Sequence, residues 1–204
     1  NPCVPLFLFG HSMGSFLSQR YIQLFGNEIN GVILSGTNGK QGLILNLGML
    51  IASFEIFIKG RRSKSHVLNN MCFGSYNKAF KPARTDFDWL TRDAGEVDKY
   101  INNKFCGGVF PAAFFYDLFK GLMEIEKTSN IASIPKELPF YIFSGTRDPV
   151  GNFNKGVLYL INTYRAYGIN DITCRFYPDG RHEMLNEINY CQVITELIEW
   201  LNLK

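Results

Sequence analysis

At 204 residues, the chain has the length of one ordinary domain, which is enough to bury a hydrophobic core. Hydrophobic residues make up 46% and charged residues 19%, which excludes a disordered chain, and a net charge of +3 without a long basic stripe gives no indication of nucleic-acid binding. The five cysteines and three histidines show no C-x-x-C or H-x-x-x-H spacing. We therefore expect no metal or cofactor, and we expect reduced, mostly buried thiols in a cytoplasmic protein.

The first predicted element is a strand, a sharp turn and a helix. Residues 5–9 are apolar, residues 10–14 read GHSMG, and an amphipathic segment follows with apolar residues at Phe16, Leu17, Tyr21 and Leu24. A G-x-S-x-G pentapeptide between a strand and a helix is typical of a nucleophile elbow, a turn so tight that its glycines avoid collisions with neighbouring backbone. Ser12 is therefore the candidate nucleophile, at the carboxyl end of a strand and at a helix N-terminus that stabilises negative charge.

Residues 31–36 form a short apolar run bounded by turn residues, which predicts a strand buried on both faces. A strand, a helix and a second strand at this spacing form a βαβ unit, so we predict a parallel sheet.

Residues 37–135, called the insertion below, contain no convincing buried strand. Within it, residues 43–58 are almost wholly apolar, too short to span a membrane, and followed by four basic residues between positions 59 and 64. Leu43, Leu47, Leu50 and Phe54 share one helical face. Three interpretations stay open here: a buried core helix, a wall of an acyl-chain pocket, or a helix that rests on a lipid surface.

The sheet pattern resumes with a predicted strand at residues 140–144, a helix at 154–167 and a strand at 171–177. A last amphipathic helix is expected to face inward with Leu185, Ile188, Ile194, Leu197, Ile198 and Leu201.

A serine nucleophile needs a base, and the base needs a group that orients it. In a parallel sheet the carboxyl ends of the strands lie at one edge, and Asp148 and His182 both follow predicted strands. The chain order Ser12, Asp148, His182 is the order of the α/β-hydrolase triad. These three residues are therefore the candidate nucleophile, acid and base.

The competing residues are less well placed. Asp171 precedes its strand and so lies at the opposite edge, while Asp179 belongs to a Pro-Asp-Gly turn. His11 lies within the elbow, and His66 lies in the insertion beside basic residues.

Five stretches carry a family resemblance: residues 9–15 (FGHSMGS), 144–151 (SGTRDPVG) and 180–187 (GRHEMLNE), with 73–77 (FGSYN) and 88–93 (DWLTRD) in the insertion. The sequence resembles α/β-hydrolases of the monoacylglycerol lipase and lysophospholipase type, which are grouped with serine-aminopeptidase-like hydrolases. The resemblance covers essentially the whole chain.

The resemblance implies an α/β-hydrolase core at residues 1–36 and 136–204 and a helical lid at residues 37–135. It implies Ser12 as nucleophile, Asp148 as acid, His182 as base and the backbone N–H of Met13 as an oxyanion donor. Family members carry further upstream strands and a second oxyanion donor. We therefore expect these residues to be the C-terminal half of the hydrolase sheet, about four strands, from a longer protein.

The predicted function is hydrolysis of a small acyl ester, either a monoacylglycerol or a lysophospholipid, in lipid metabolism. The predicted partners are that ester and, through the lid helix, the membrane periphery, with no nucleic acid. The alternatives are a peptidase or small-ester esterase on the same scaffold, and a non-catalytic module that binds a hydrophobic ligand.

Overall fold

The computed structural model describes residues 4–204, which contain one parallel four-stranded sheet. The strands lie in the order β1 (Phe7–His11), β2 (Gly31–Ser35), β3 (Phe140–Gly145) and β4 (Ile172–Tyr177). Every residue of β2 and β3 is buried, which confirms the burial on both faces predicted for β2. The predicted α/β fold with about four parallel strands is confirmed, although β1 begins and ends two residues later than expected.

The helices of the described residues connect or cover these strands. They are α1 (Met13–Phe25), α2 (Ile44–Lys59), α3 (His66–Phe73), α4 (Ala94–Asn102), α5 (Ala112–Ile125), α6 (Thr128–Ala132), α7 (Lys155–Ala166) and α8 (Tyr190–Asn202). Helices α2 to α6 all fall between β2 and β3. Their own apolar cluster forms where α2 packs against α5, around Leu45, Ala52, Phe115 and Phe119.

The apolar side predicted for α1 is wrong in part. Leu17 and Leu24 are exposed, whereas the buried side carries Ser15, Ser18 and Gln19. The reason is the close approach of α1 to β1. A Cβ placed on Gly10 would lie 2.3 Å from the Ser18 hydroxyl oxygen, so the contact has room only for small side chains.

Helix α2 turns its predicted apolar face outward. Leu43, Leu47, Leu50 and Phe54 are all exposed, and the buried side carries Leu45, Gly48, Ala52 and Glu55. The interpretation of this face as buried core is therefore wrong. No helix within residues 4–204 has both the length and the apolarity required to cross a bilayer.

The last helix is rotated relative to its prediction. Ile194 and Ile198 are exposed, and so is Ile188 just before the helix, while Val193 and Trp200 are buried. Leu185, Leu197 and Leu201 are partly buried against the same cluster, as predicted. The Trp200 ring sets this rotation because it packs between Phe7 of β1 and Tyr141 of β3.

The cysteines of the described residues are free, and Cys3 lies outside those residues. Cys72, Cys106 and Cys174 are half-buried, and Cys191 is exposed. The prediction of mostly buried thiols is therefore wrong in degree: Cys72 and Cys174 lie at the margins of apolar clusters, and Cys106 and Cys191 belong to none of the apolar clusters of the described residues.

The end of β3 touches the loop after β4, and this contact leads to a stability prediction. A Cβ on Gly145 would lie 2.1 Å from the carbonyl carbon and oxygen of Gly180, and backbone cannot rotate away as a side chain can. We expect Gly145→Ala to lower the free energy of unfolding by about 1–3 kcal/mol or more, measured by urea denaturation.

Gly121→Ala is the matched control. Gly121 lies on α5 with open space around it, so this variant should gain about 0.5–1 kcal/mol. Equal stability of the two variants would contradict the prediction.

Candidate active site

The parallel sheet brings the three candidate residues to its carboxyl edge. Ser12 follows β1 directly, Asp148 comes three residues after β3, and His182 comes five residues after β4. The rejected Asp171 lies at the opposite end of β4, where it pairs with Lys204. The rejected Asp179 is a turn residue with a positive φ of 57°.

Ser12 occupies the strained backbone conformation expected of a nucleophile elbow. Its φ is 52° and its ψ is −121°, a region that costs a non-glycine residue about 1–3 kcal/mol. Hydrogen bonds on both sides hold it there. The Ser12 N–H donates to the Ser35 carbonyl at 2.9 Å, and the Ser12 carbonyl accepts from the Ser15 N–H at 2.9 Å and hydroxyl at 2.6 Å.

His182 and Asp148 form a buried pair. The Nδ1 atom of His182 lies 3.0 Å from both carboxylate oxygens of Asp148, and the two side chains are 2% and 0% exposed. The carboxylate also accepts the Val150 N–H at 2.9 Å and the Ser144 hydroxyl at 3.3 Å. Because Nδ1 is engaged with Asp148, Nε2 is the nitrogen left to act as a base.

The Ser12 hydroxyl makes no hydrogen bond to His182 or to any other described residue in this free protein. Catalytic hydrogen bonds of this kind are often long before substrate binds. The residue beside the serine is nevertheless in contact with the base, since the rings of His11 and His182 have centroids 4.8 Å apart. A Cβ on Gly36 would approach the His182 ring to 2.7 Å and the His11 ring to 3.2 Å, so the end of β2 packs against both.

His11 is a neutral neighbour of the base. Its Nδ1 atom lies 3.0 Å from the Ser35 hydroxyl. Burial, and after it the proximity of His182, lowers the pKa of His11 from 6.5 to about 4, against smaller raising effects of Asp148 and Ser35. At neutral pH the His11 ring therefore adds no positive charge beside His182.

Trp89 is a neighbour of the base that the sequence reasoning missed. Its ring centroid lies 5.2 Å from that of His182, and its backbone carbonyl accepts the His182 N–H at 3.4 Å. Trp89 comes from the insertion, whereas His11 comes from β1. The signal was present in the DWLTRD stretch, which resembled the family but had no assigned role. His66, by contrast, opens α3 within the insertion.

Three comparisons with known proteins bear on this site. Residues 1–189 match the profile of the family described as "Serine aminopeptidase, S33". The mouse protein named "Monoglyceride lipase" is 24% identical over 205 residues, which cover 98% of this chain and 59% of the mouse protein. The chain thus spans less than two thirds of the length of that relative.

Solved structures match over nearly the whole chain. A highly thermostable carboxyl esterase from Bacillus coagulans, in complex with glycerol, is 25% identical with a TM-score of 0.88, covering 98% of this chain and 65% of that one. A soluble variant of monoglyceride lipase from Saccharomyces cerevisiae, in complex with a substrate analog, has a TM-score of 0.70 at 19% identity, covering 97% and 61%. The latter likeness shows the fold.

The lowered pKa of His11 predicts a pH dependence of stability. Between pH 6.5 and 4 the unfolded chain binds a proton at His11 that the folded protein does not bind. The free energy of unfolding should therefore fall as the pH falls through this window, by up to about 3 kcal/mol from this residue. The His11→Gln variant lacks this loss, so its stability relative to wild type should rise by that amount between pH 6.5 and 4. Urea denaturation at each pH measures the difference in free energy of unfolding between His11→Gln and wild type. This difference should be constant between pH 7 and 8. A constant difference down to pH 4 would contradict the assignment.

Proposed function

The chain belongs to the serine aminopeptidase, S33 family, and we propose that it acts as a serine hydrolase that cleaves carboxylic esters through an acyl-enzyme on Ser12. Its fold is that of α/β-hydrolases, and its relatives include lipases and esterases. The observation that carries the proposal is the buried pair of His182 and Asp148 at the same sheet edge as the strained Ser12 elbow.

The proposed reaction has two stages. The Ser12 oxygen attacks the ester carbonyl while Nε2 of His182 takes the hydroxyl proton, and the resulting oxyanion accepts a hydrogen bond from the Met13 N–H. The carbon–oxygen bond to the alcohol then breaks, and the imidazolium gives its proton to the departing alcohol. A water molecule, deprotonated by the same nitrogen, attacks the acyl-enzyme and releases the acid and free Ser12. Asp148 holds the Nδ1–H of His182 and stabilises the imidazolium throughout.

The proposed substrates are lipid-like esters such as monoacylglycerols or lysophospholipids. Two observations support this choice over a peptide substrate. The mouse relative is named a monoglyceride lipase, and the insertion concentrates aromatic side chains around Phe73, Phe110, Phe114 and Phe115. Apolar and aromatic side chains are typical linings of sites that hold acyl chains. The free thiols of the described cysteines support a reducing compartment, so we place the reaction in the cytoplasm.

The proposed nucleophile, Ser12, can be tested with a covalent probe. A fluorophosphonate probe should label the complete protein at Ser12, and Ser12→Ala should abolish labelling and lower ester hydrolysis by at least about a thousandfold. Ser53→Ala is the matched control, because the Ser53 hydroxyl donates to the Met49 carbonyl of its own helix, α2, and takes no part in holding the Ser12 turn. Labelling that survives Ser12→Ala would refute the proposal.

A substrate panel separates the alternatives to lipid esters. Long-chain monoacylglycerol and lysophospholipid should be hydrolysed with a higher kcat/KM than a short ester or an aminoacyl amide. Preference for the amide would establish the peptidase alternative. Binding of a hydrophobic ligand without turnover, unaffected by Ser12→Ala, would establish the non-catalytic one.

The outward face of α2 supports a second proposal, contact with the membrane surface. Leu43 and Phe57 are 86% and 87% exposed, and Leu47, Leu50 and Phe54 are more than half exposed. The helix ends at a basic residue, Lys59, and three more follow it, Arg61, Arg62 and Lys64. An exposed apolar face beside cationic side chains is the pattern of a helix that lies on an anionic lipid surface.

Vesicle binding tests this surface. We expect the double substitution Leu50→Ser and Phe57→Ser to reduce flotation with phosphatidylcholine–phosphatidylserine vesicles by about tenfold or more, because two apolar side chains lose their burial in lipid. Leu158→Ser, at an exposed leucine on α7, is the control and should float like wild type. Unchanged flotation of the double variant would exclude α2 as the contact.

A further inference from the structure

The loop that carries His182 is hydrogen-bonded to a segment of the insertion that lies far away in sequence. The loop is residues 178–188, called the base loop below, and the segment is residues 88–92. Their hydrogen bonds run from the His182 N–H to the Trp89 carbonyl (3.4 Å), from the Glu183 N–H to the Leu90 carbonyl (2.7 Å) and from the Thr91 hydroxyl to the Asn186 carbonyl (2.8 Å). The position of the base thus depends on a part of the chain outside the sheet and its connecting helices.

One carboxylate, that of Glu187, lies at the centre of this junction. Its side chain is 0% exposed. One oxygen accepts the N–H of Arg181 at 2.9 Å and the N–H of Arg92 at 3.1 Å, and the other accepts Nε of Arg92 at 2.8 Å and the N–H of Ile188 at 3.1 Å. Two of these donors belong to the base loop and two to the 88–92 segment. The buried carboxylate therefore holds the two segments together, because separating them would leave the carboxylate and its N–H donors without hydrogen-bond partners.

The two arginines extend the junction on either side. The Arg92 guanidinium also donates to the Asn189 side chain at 3.1 Å, just beyond the base loop. The Arg181 guanidinium crosses the other way and donates to the carbonyls of Asp88 and Thr91, the latter at 3.0 Å. The Cζ atom of Arg181 lies 4.4 Å from the centroid of the Phe80 ring, and Phe80 also belongs to the insertion.

The residue next to Arg181 is His182, so the junction acts on the base directly. The Arg181 N–H is held by Glu187, the His182 N–H is held by Trp89, and the Trp89 ring lies against the imidazole. On its other side the imidazole meets Asp148. Displacement of the 88–92 segment would therefore move His182 relative to Asp148, and a shift of about 1 Å at a reacting group can cost a hundredfold in rate.

We propose that Glu187 is a positioning residue for the base: its buried carboxylate locks the 88–92 segment onto the base loop and thereby holds the His182 imidazole against Asp148. The inference rests on the proposed function, since it assigns a role within the same hydrolase site. It also gives the insertion, which we propose to be the lid over the substrate, a second role, namely to complete the support of the base.

Glu187→Gln is the direct test, in the complete protein with a water-soluble ester as substrate. The amide of glutamine keeps one oxygen that can accept hydrogen bonds. Its NH₂ group replaces the second oxygen and faces two N–H donors to which it cannot bond. We expect kcat to fall about tenfold to a hundredfold while KM changes less than about threefold. The acid limb of the pH–rate profile should also move to lower pH, because an imidazolium held less firmly against Asp148 loses stabilisation.

Two further variants separate positioning from general stability. Glu196→Gln is the matched control: Glu196 also pairs with an arginine, Arg175, at 3.4 Å, and it accepts the hydroxyl of Tyr177, but none of its hydrogen-bond partners belongs to the base loop or to residues 88–92. It should keep the wild-type kcat and pH profile. Arg92→Lys retains the positive charge but loses the guanidinium geometry at Glu187, so it should show the same changes as Glu187→Gln to a smaller extent. It also serves as the test variant if Glu187→Gln does not fold.

The result that would overturn the inference is a folded Glu187→Gln or Arg92→Lys protein with wild-type kcat and an unmoved acid limb. A fall in activity that is equal in Glu196→Gln would overturn it as well, because the effect would then follow stability alone. These failures leave fluorophosphonate labelling of Ser12 intact and so leave the proposed function standing. If wild type is not labelled, the proton NMR resonance of the His182 Nδ1–H decides: its loss in Glu187→Gln but not in Glu196→Gln supports the positioning role, and its retention in both overturns it.

Discussion

The buried contact between His182 and Asp148 is the interaction on which the rest of this structure depends. A carboxylate that is fully removed from water is tolerated only when donors surround it, and here an imidazole, a backbone N–H and a hydroxyl do so. Those donors come from β3, the turn after it and the loop after β4. The close passage of Gly145 against Gly180 is needed for the same reason, since it brings the two loops within reach of each other.

The insertion between β2 and β3 contributes directly to this centre. It supplies Trp89 against the face of the base and, through Arg92, half of the donors around Glu187. It also presents the apolar outer face of α2 to the surroundings. The insertion therefore carries both the surface proposed to meet lipid and the segment that supports the base. Helix α2 packs on α5, and ring contacts run from Phe115 of α5 through Phe73 and Tyr76 to Trp89.

Local sequence patterns were sufficient to predict the strands and the sharp turn at Ser12, because each depends on a few consecutive residues. The rule that parallel strands end at one edge was sufficient to nominate Asp148 and His182 as candidates beside it. They failed on which helical face is covered. Periodicity identified the shared face of Leu43, Leu47, Leu50 and Phe54, but it carries no information about what packs there. In α1 periodicity also failed, because the buried side of this helix is not its apolar side. The close approach to Gly10 leaves room there for Ser18 and excludes larger apolar side chains. Glu187 was missed because its partner Arg92 lies 95 positions away.

The coupling of the 88–92 segment to the base loop limits how the insertion can move. Its helices are free to rearrange where they meet only one another, but the 88–92 segment cannot leave the base loop without exposing or unpairing the Glu187 carboxylate. Motion that admits substrate is therefore expected in the part of the insertion around α2, whose outer face has no covering residues within the described chain. For the proposed lid, opening at α2 while residues 88–92 stay fixed would admit the proposed acyl chain without disturbing His182.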